Sequence, residues 1–221
     1  MRHELLVFDD VDALARAGAT YIAERAQAVS GRTDPFTCAL SGGKSPWLML
    51  VDLAHLDVAW GHTRFYQVDE RVVPADSDLR NLKHVRECLA GTSAPIIPME
   101  VNNDDLDGAA RRYAEALPES LDLVHLGLGP DGHCASLVPD DPVLDVTDRL
   151  VATSGPYQGN LRMTLTYPGL ARGEQLLWLV SGADKRDALE SLLDGDRTIP
   201  AGRVEAAASL VLADRAAKGP A

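Results

Sequence analysis

His133 stands two residues beyond Asp131 in the run Gly127-Leu128-Gly129-Pro130-Asp131-Gly132-His133-Cys134-Ala135-Ser136-Leu137. Imidazole is the side chain best suited to moving a proton near neutral pH, and a carboxylate two positions earlier can orient the ring or a hydroxyl of a bound molecule. Asp131 and His133 could also ligate a metal, but no third ligand lies at a telling spacing, so no metal is expected. Cys134 invites a thiol-nucleophile reading; because adjacent residues rarely point at each other, a small buried thiol is the better account. The remaining histidines, His3, His55, His62, His84 and His125, have no partner motif and read as surface or packing residues.

Two further clusters bear on an anion. In Ser41-Gly42-Gly43-Lys44-Ser45-Pro46, two glycines allow close backbone approach, and the amides of a helix starting near Pro46 would point at negative charge. The spacing is not that of a Walker A loop. By itself such a turn is as often purely structural. In Asp69-Glu70-Arg71, a carboxylate can accept from sugar hydroxyls and Arg71 can bind an oxyanion or phosphate. Taken alone, the triplet reads more simply as a solvated charge cap on a strand.

Each cluster follows an apolar run that must position it. Phe36–Leu40 precedes Ser41, Thr63–Val68 precedes Asp69, and Leu121–Leu126 precedes the glycine-rich turn; all three predict strands. Strands are also predicted at Leu5–Phe8, Pro95–Met99, Arg162–Thr166, Gln175–Val180 and Ser209–Ala213. Apolar positions three to four apart predict helices from Val11 to Val29, Leu79 to Leu89, Asp105 to Ala116 and Ala183 to Leu193. Strands separated by helices imply parallel pairing. The expectation is a single Rossmann-like α/β domain over residues 1–215, with a mostly parallel sheet, helices on both faces and a flexible tail at 216–221. Ligands of such sheets bind beyond the carboxyl ends of the strands, where the three clusters lie.

The chain has 221 residues, 46% of them apolar and 24% charged, an ordinary globular balance rather than a disordered one. Its 21 Lys and Arg against 33 Asp and Glu give a formal charge of −12, which argues against nucleic acid or an anionic membrane as partner. An anionic substrate must then be drawn in by local basic groups. Three cysteines without a Cys-x-x-Cys pair suggest neither a disulfide framework nor a zinc ribbon. Residues 1–10 lack an apolar signal core and no apolar run approaches the ~20 residues of a membrane span, so a soluble cytoplasmic protein is expected.

Together the clusters resemble the 6-phosphogluconolactonase family. Its motifs are matched in order by Ser41–Pro46, Asp69-Glu70-Arg71-Val72-Val73-Pro74, Gly127–Pro139, Arg162-Met163-Thr164-Leu165-Thr166 and Ser181-Gly182-Ala183-Asp184-Lys185. Departures are Lys44 for a small hydroxyl residue, Arg80 before Asn81 for the usual serine, Cys134 for threonine, and Gly155-Pro156-Tyr157-Gln158-Gly159-Asn160 in place of a proline-rich approach to Arg162. The resemblance implies hydrolysis of 6-phospho-D-glucono-1,5-lactone to 6-phosphogluconate, without a cofactor, by a monomer or small homo-oligomer. It implies a substrate-binding group of Ser41, Gly42, Gly43, Lys44, Ser45 and Gly129, helped by Arg162 and Lys185 at the phosphate. His133 would be the base and Arg71 the oxyanion partner, with the phosphate as the alternative for Arg71. Asp69 and Asp131 would orient hydroxyls or the imidazole. The rivals are the related amino-sugar-phosphate deaminases and isomerases, whose second motif carries an acid that this chain lacks, and a non-catalytic phosphosugar sensor.

Overall fold

Alternation within buried strands decides the layering. Every residue of β2 (Phe36–Leu40) is buried, yet Cys38 and Leu40 pack into one apolar cluster while Ala39 packs into another. Successive side chains of a strand leave on opposite faces, so the sheet containing β2 is covered on both. A computed structural model describes residues 3–219. Among these, six strands form a wholly parallel sheet. They are β1 (Glu4–Phe8), β2, β3 (Thr63–Gln67), β5 (Leu123–Gly127), β8 (Gln175–Val180) and β9 (Ala208–Asp214), in the order β1-β9-β8-β5-β2-β3.

One face is covered by α1 (Val11–Ala28) and α2 (Lys44–Leu53). Leu14, Ile22 and four alanines of α1 recur at three- and four-residue spacings and are buried, and Asp10 caps the helix by accepting from the Ala13 amide at 2.8 Å. Gly18 lets α2 approach closely, since a Cβ there would crowd Met49. Val85 of α3 (Asn81–Cys88) packs into the same cluster. The other face receives α4 (Leu106–Ala116) and α6 (Arg186–Leu193).

A second, antiparallel sheet in the order β4-β7-β6 stands beside the mostly parallel arrangement expected from the sequence. It consists of β4 (Asp69–Arg71), β6 (Val151–Tyr157) and β7 (Asn160–Leu165), and Met163, Leu165 and Val151 join it to the cluster under α4 and α6. β4 is the charged triplet expected to cap a strand: it follows β3 after one residue but pairs with β7. β6 had no counterpart in the sequence reading. The strand expected at Pro95–Met99 is reduced to a single bridge between Ile96 and Phe65.

The remaining short helices are α5 (Tyr167–Leu170) and α7 (Arg215–Lys218). α7 corrects the flexible tail expected from 216: Asp214 caps it by accepting from the Ala217 amide at 2.7 Å, and Ala217 is buried. Residues 220 and 221 of that tail, like residues 1 and 2, lie outside the described residues. No described helix is long and apolar enough to cross a membrane.

Candidate active site

The chain runs from β2 outward to β3 but from β5 back toward β8, although β2 and β5 are neighbours. Their connections therefore diverge and leave a crevice past the strand ends, where open α/β sheets bind ligands. A cleft of about 340 Å³ lies there. It is lined by the Ser41–Ser45 turn after β2, by Gly127–Gly129 and His133 after β5, and by Ser181 and Lys185 after β8. The second sheet closes it with Asp69, Arg71 and Arg162, and Asn81 fills a corner.

The turn after β2 is held from below. The Ser41 N–H donates to Nδ1 of His125 at 3.2 Å. His125 is fully buried, and burial pushes its pKa down to about 3, so it is a neutral acceptor. Of the surface and packing roles expected for this histidine, it takes the buried one. Gly43 adopts φ +133°, which favours glycine, and caps α2 without a side chain. The first amides of α2 thus have no side-chain acceptor and carry the positive end of the helix dipole. Ser45 Oγ and Ser181 Oγ lie 2.5 Å apart, tying the turns after β2 and β8 together. Lys185 is an amphipathic rim residue whose ammonium sits 3.1 Å from Asp184.

The turn after β5 sets an imidazole against a carboxylate. The Gly129 N–H donates to the His133 carbonyl at 2.8 Å, which curls the loop so that Asp131 Oδ1 receives His133 Nδ1–H at 2.5 Å. The same oxygen accepts the His133 backbone N–H at 3.2 Å. Nδ1 therefore carries the proton and Nε2 is the basic nitrogen. A Cβ on Gly129 would overlap the His133 ring and Asp131 Oδ1, so glycine is required by close approach. Burial pushes the Asp131 carboxyl up, but the hydrogen bonds and charge of His133 outweigh it and leave Asp131 below the usual carboxylate range. Asp131 does not line the cleft; it stands behind the imidazole.

In the second sheet, Arg71 and Arg162 are directly opposite each other on β4 and β7. Opposed residues of an antiparallel pair share a face, and like charges so placed repel. Arg162 is buried, and desolvation first, then Arg71, pull its pKa below the ordinary guanidinium value against the opposing pull of Asp69, whose carboxylate is 3.9 Å away. Arg71 donates to the Leu79 carbonyl at 2.8 Å and to Asn81 Oδ1 at 2.9 Å. Asp69 is buried and accepts from Ser136 Oγ at 2.6 Å.

Glu70 is structural. It is fully buried and accepts the amides of Arg71, Asn81 and Leu82, each at 2.8 Å, and Gln67 Nε2 at 2.9 Å. The solvated-cap reading of this triplet is thus corrected: two of the donors that make burial tolerable come from the first turn of α3. Arg80 is buried beside it and donates to Asn102 at 2.7 Å. Cys134 is buried outside the cleft, where desolvation raises its pKa.

All the residues expected at the site converge on the cleft except Asp131, which reaches it through His133. Ser181, Ser136 and Tyr157 lie within segments singled out in the sequence, but their types and spacing assign them no role at the site. Tyr157 donates from its hydroxyl to Asp131 Oδ2 at 3.2 Å and meets the His133 ring edge-on.

A family model described as glucosamine-6-phosphate isomerases/6-phosphogluconolactonase matches residues 9–212. A 6-phosphogluconolactonase of Mycobacterium tuberculosis is 33% identical over 216 residues, which cover 88% of this chain and 87% of that protein. The crystal structure of 6-phosphogluconolactonase from Thermotoga maritima aligns with a TM-score of 0.87 at 25% identity, covering 96% of this chain and all of that one. The structure of a monomeric glucosamine-6-phosphate deaminase aligns with a TM-score of 0.84 at 19% identity, covering 98% of each chain. The last likeness is one of fold alone.

Proposed function

We propose, for a chain that belongs to the family of glucosamine-6-phosphate isomerases and 6-phosphogluconolactonases and hydrolyses 6-phospho-D-glucono-1,5-lactone to 6-phosphogluconate in the pentose phosphate pathway, that His133 is the general base and Asp131 its orienting partner. One observation carries the assignment: Asp131 occupies Nδ1 at 2.5 Å, which leaves Nε2 as the nitrogen that takes a proton beside a cleft with two opposed arginines.

The phosphate binds at the start of α2, against the amides of Gly42 and Gly43, with Ser45, Lys44, Lys185 and Arg162 supplying further donors. Its two negative charges relieve the repulsion between Arg162 and Arg71. Fixing the remote phosphate holds the lactone carbonyl relative to the base. Water attacks C1 as His133 Nε2 removes its proton, and the carbonyl electron pair moves onto oxygen. Arg71, steadied by Asn81 and the Leu79 carbonyl, stabilises that oxyanion. The oxyanion collapses, the bond from C1 to the ring oxygen breaks, and the imidazolium returns its proton to the ring oxygen. Asp69, buried and held by Ser136, orients a sugar hydroxyl.

The test is His133→Ala. Loss of a general base lowers kcat by about 10²–10⁴-fold, against the spontaneous hydrolysis measured in parallel, while calorimetric binding of 6-phosphogluconate stays near wild type. A variant within a few-fold of wild-type kcat overturns the assignment.

A further inference from the structure

We propose that Tyr157 is a positioning residue that holds the second oxygen of Asp131 and thereby sets the orientation and basicity of His133. The inference rests on the reading of His133 as the base and deepens it.

The backbone is built to deliver this side chain. β6 and β7 pair up to Tyr157 and Asn160, and the two residues between them, Gln158 at φ +52° and Gly159 at φ +82°, have the left-handed conformations that a tight hairpin turn of matching twist demands. The register shifts between Ser154 and Tyr157, and a bulge re-aims the side chain that follows it. This is the segment in which the chain departs from the proline-rich approach of the family it resembles.

Several contacts meet at Tyr157, among them the approach of its hydroxyl to His133 Nδ1 at 3.5 Å. Its hydroxyl donates to Asp131 Oδ2 at 3.2 Å, while Asp131 Oδ1 holds His133 Nδ1 at 2.5 Å, so the carboxylate is gripped at both oxygens. Its ring edge faces His133, with centroids 5.1 Å apart. Its ring face lies under the Arg162 guanidinium, 5.1 Å from the centroid. Burial first, then the charge of Asp131, raises the phenol above its ordinary pKa, so the hydroxyl remains a donor throughout the working range. The other charged groups around the dyad are Arg162 on β7, Arg71 and Asp69 on β4, and Lys44 and Lys185 across the cleft. None of these makes a hydrogen bond to Asp131. Without Tyr157, one carboxylate oxygen would lose its protein donor and the carboxylate would be held through its bond to the imidazole at Oδ1. The electron density left on Asp131 would also stabilise the imidazolium.

Tyr157→Phe keeps the ring contacts and removes only the donor. Losing one hydrogen bond to a charged group at a partly solvated position lowers kcat/KM by about three- to tenfold, with KM little changed. The acid limb of the pH profile moves upward by about half a unit. The same upward shift appears in the His133 imidazole titration followed by NMR without substrate, a readout independent of catalysis. In an Asp131→Asn background the hydroxyl has no carboxylate to hold, so Tyr157→Phe changes kcat/KM by less than about twofold. A Tyr157→Phe enzyme whose imidazole titration and acid limb superimpose on wild type overturns the inference. So does a full effect of Tyr157→Phe in the Asp131→Asn background. His133→Ala assayed alongside separates the two readings: if it is active, the base assignment has failed; if it is inactive while Tyr157→Phe matches wild type, only the role of Tyr157 has failed.

Discussion

The parallel sheet furnishes the cleft from turns beyond its strands, through backbone amides, short side chains and glycines that let the chain come near. The antiparallel sheet furnishes it from within its strands, through Asp69, Arg71 and Arg162, charged side chains that are buried or half-buried where they stand. The first arrangement separates site from scaffold: the crevice arises wherever neighbouring strands send their connections apart, and cleft-facing residues of the turns such as Lys44, Gly129, His133 and Lys185 lie outside the apolar clusters. The second fuses them, because the same strand positions hold up the fold and line the cleft. Changes in the turns should therefore cost catalysis alone, and changes in the strands should cost stability as well.

The sharpest break of this contrast is Gly129→Ala. The added methyl meets the His133 ring and Asp131, so the base is displaced while the strands are untouched. A misplacement of about 1 Å costs about 10²-fold in kcat, and thermal unfolding should be within a few degrees of wild type. Equal loss of stability and activity would erase the distinction between the sheets.

Lys185→Ala and Arg162→Ala form the next comparison, because each removes a cation that lines the cleft and is proposed to meet the phosphate, from different settings. A charge-assisted hydrogen bond contributes about 1.5–3 kcal/mol, so each should raise KM for the phosphorylated lactone by about ten- to a hundredfold. Hydrolysis of unphosphorylated gluconolactone should hardly change. Only Arg162→Ala should also destabilise the fold, by roughly 3 kcal/mol in chemical denaturation, because it leaves Asp69 buried without its cation. Matching denaturation curves for the two variants would count against the fused role of the strands.

The smallest effect concerns the scaffold beneath the phosphate turn. His125 stays neutral in the native state down to about pH 3, whereas an unfolded histidine takes up a proton below about 6.5. Between those values the unfolded state binds more protons, so stability present at neutral pH is lost as pH falls. From pH 7 to pH 5 the loss from this group is about 2 kcal/mol. His125→Asn, whose amide oxygen can still accept from Ser41, should lose correspondingly less over that interval in denaturant titrations. An unchanged pH slope would mean that His125 does not enter the native state neutral.

The parallel sheet was legible in the sequence because its strands are short apolar runs and its helices repeat every three to four residues. β2 and β8 were bounded correctly to the residue. The antiparallel sheet was not. β4 is three charged residues without alternation, and β6 contains Gly155 and Pro156, which interrupt a strand pattern. Consequently Arg71 and Arg162 were recognisable as basic residues of a site, but not as facing neighbours. The Asp131 and His133 pair was legible because both belong to one tight turn. Tyr157 was hidden because its contact with Asp131 depends on the bulge and turn that bring a distant hairpin back. Glu70 was misread for the same reason: its donors Asn81 and Leu82 lie eleven and twelve residues ahead, across a loop whose course no local pattern specifies.

That loop deserves to be seen as a ring closed by a clasp. Glu70 grips the first amides of α3, so the chain leaves at residue 71 and returns at 81 to one buried carboxylate. Of what lies between, Val72 packs on the core and Arg80 is buried against Glu70, whereas Pro74 to Leu79 are mostly exposed and contribute chiefly the Leu79 carbonyl. Because the entropy of closing a loop grows only slowly with its length, this stretch is the natural place to graft foreign sequence beside a working active site, provided the clasp and the residues on either side of it are kept.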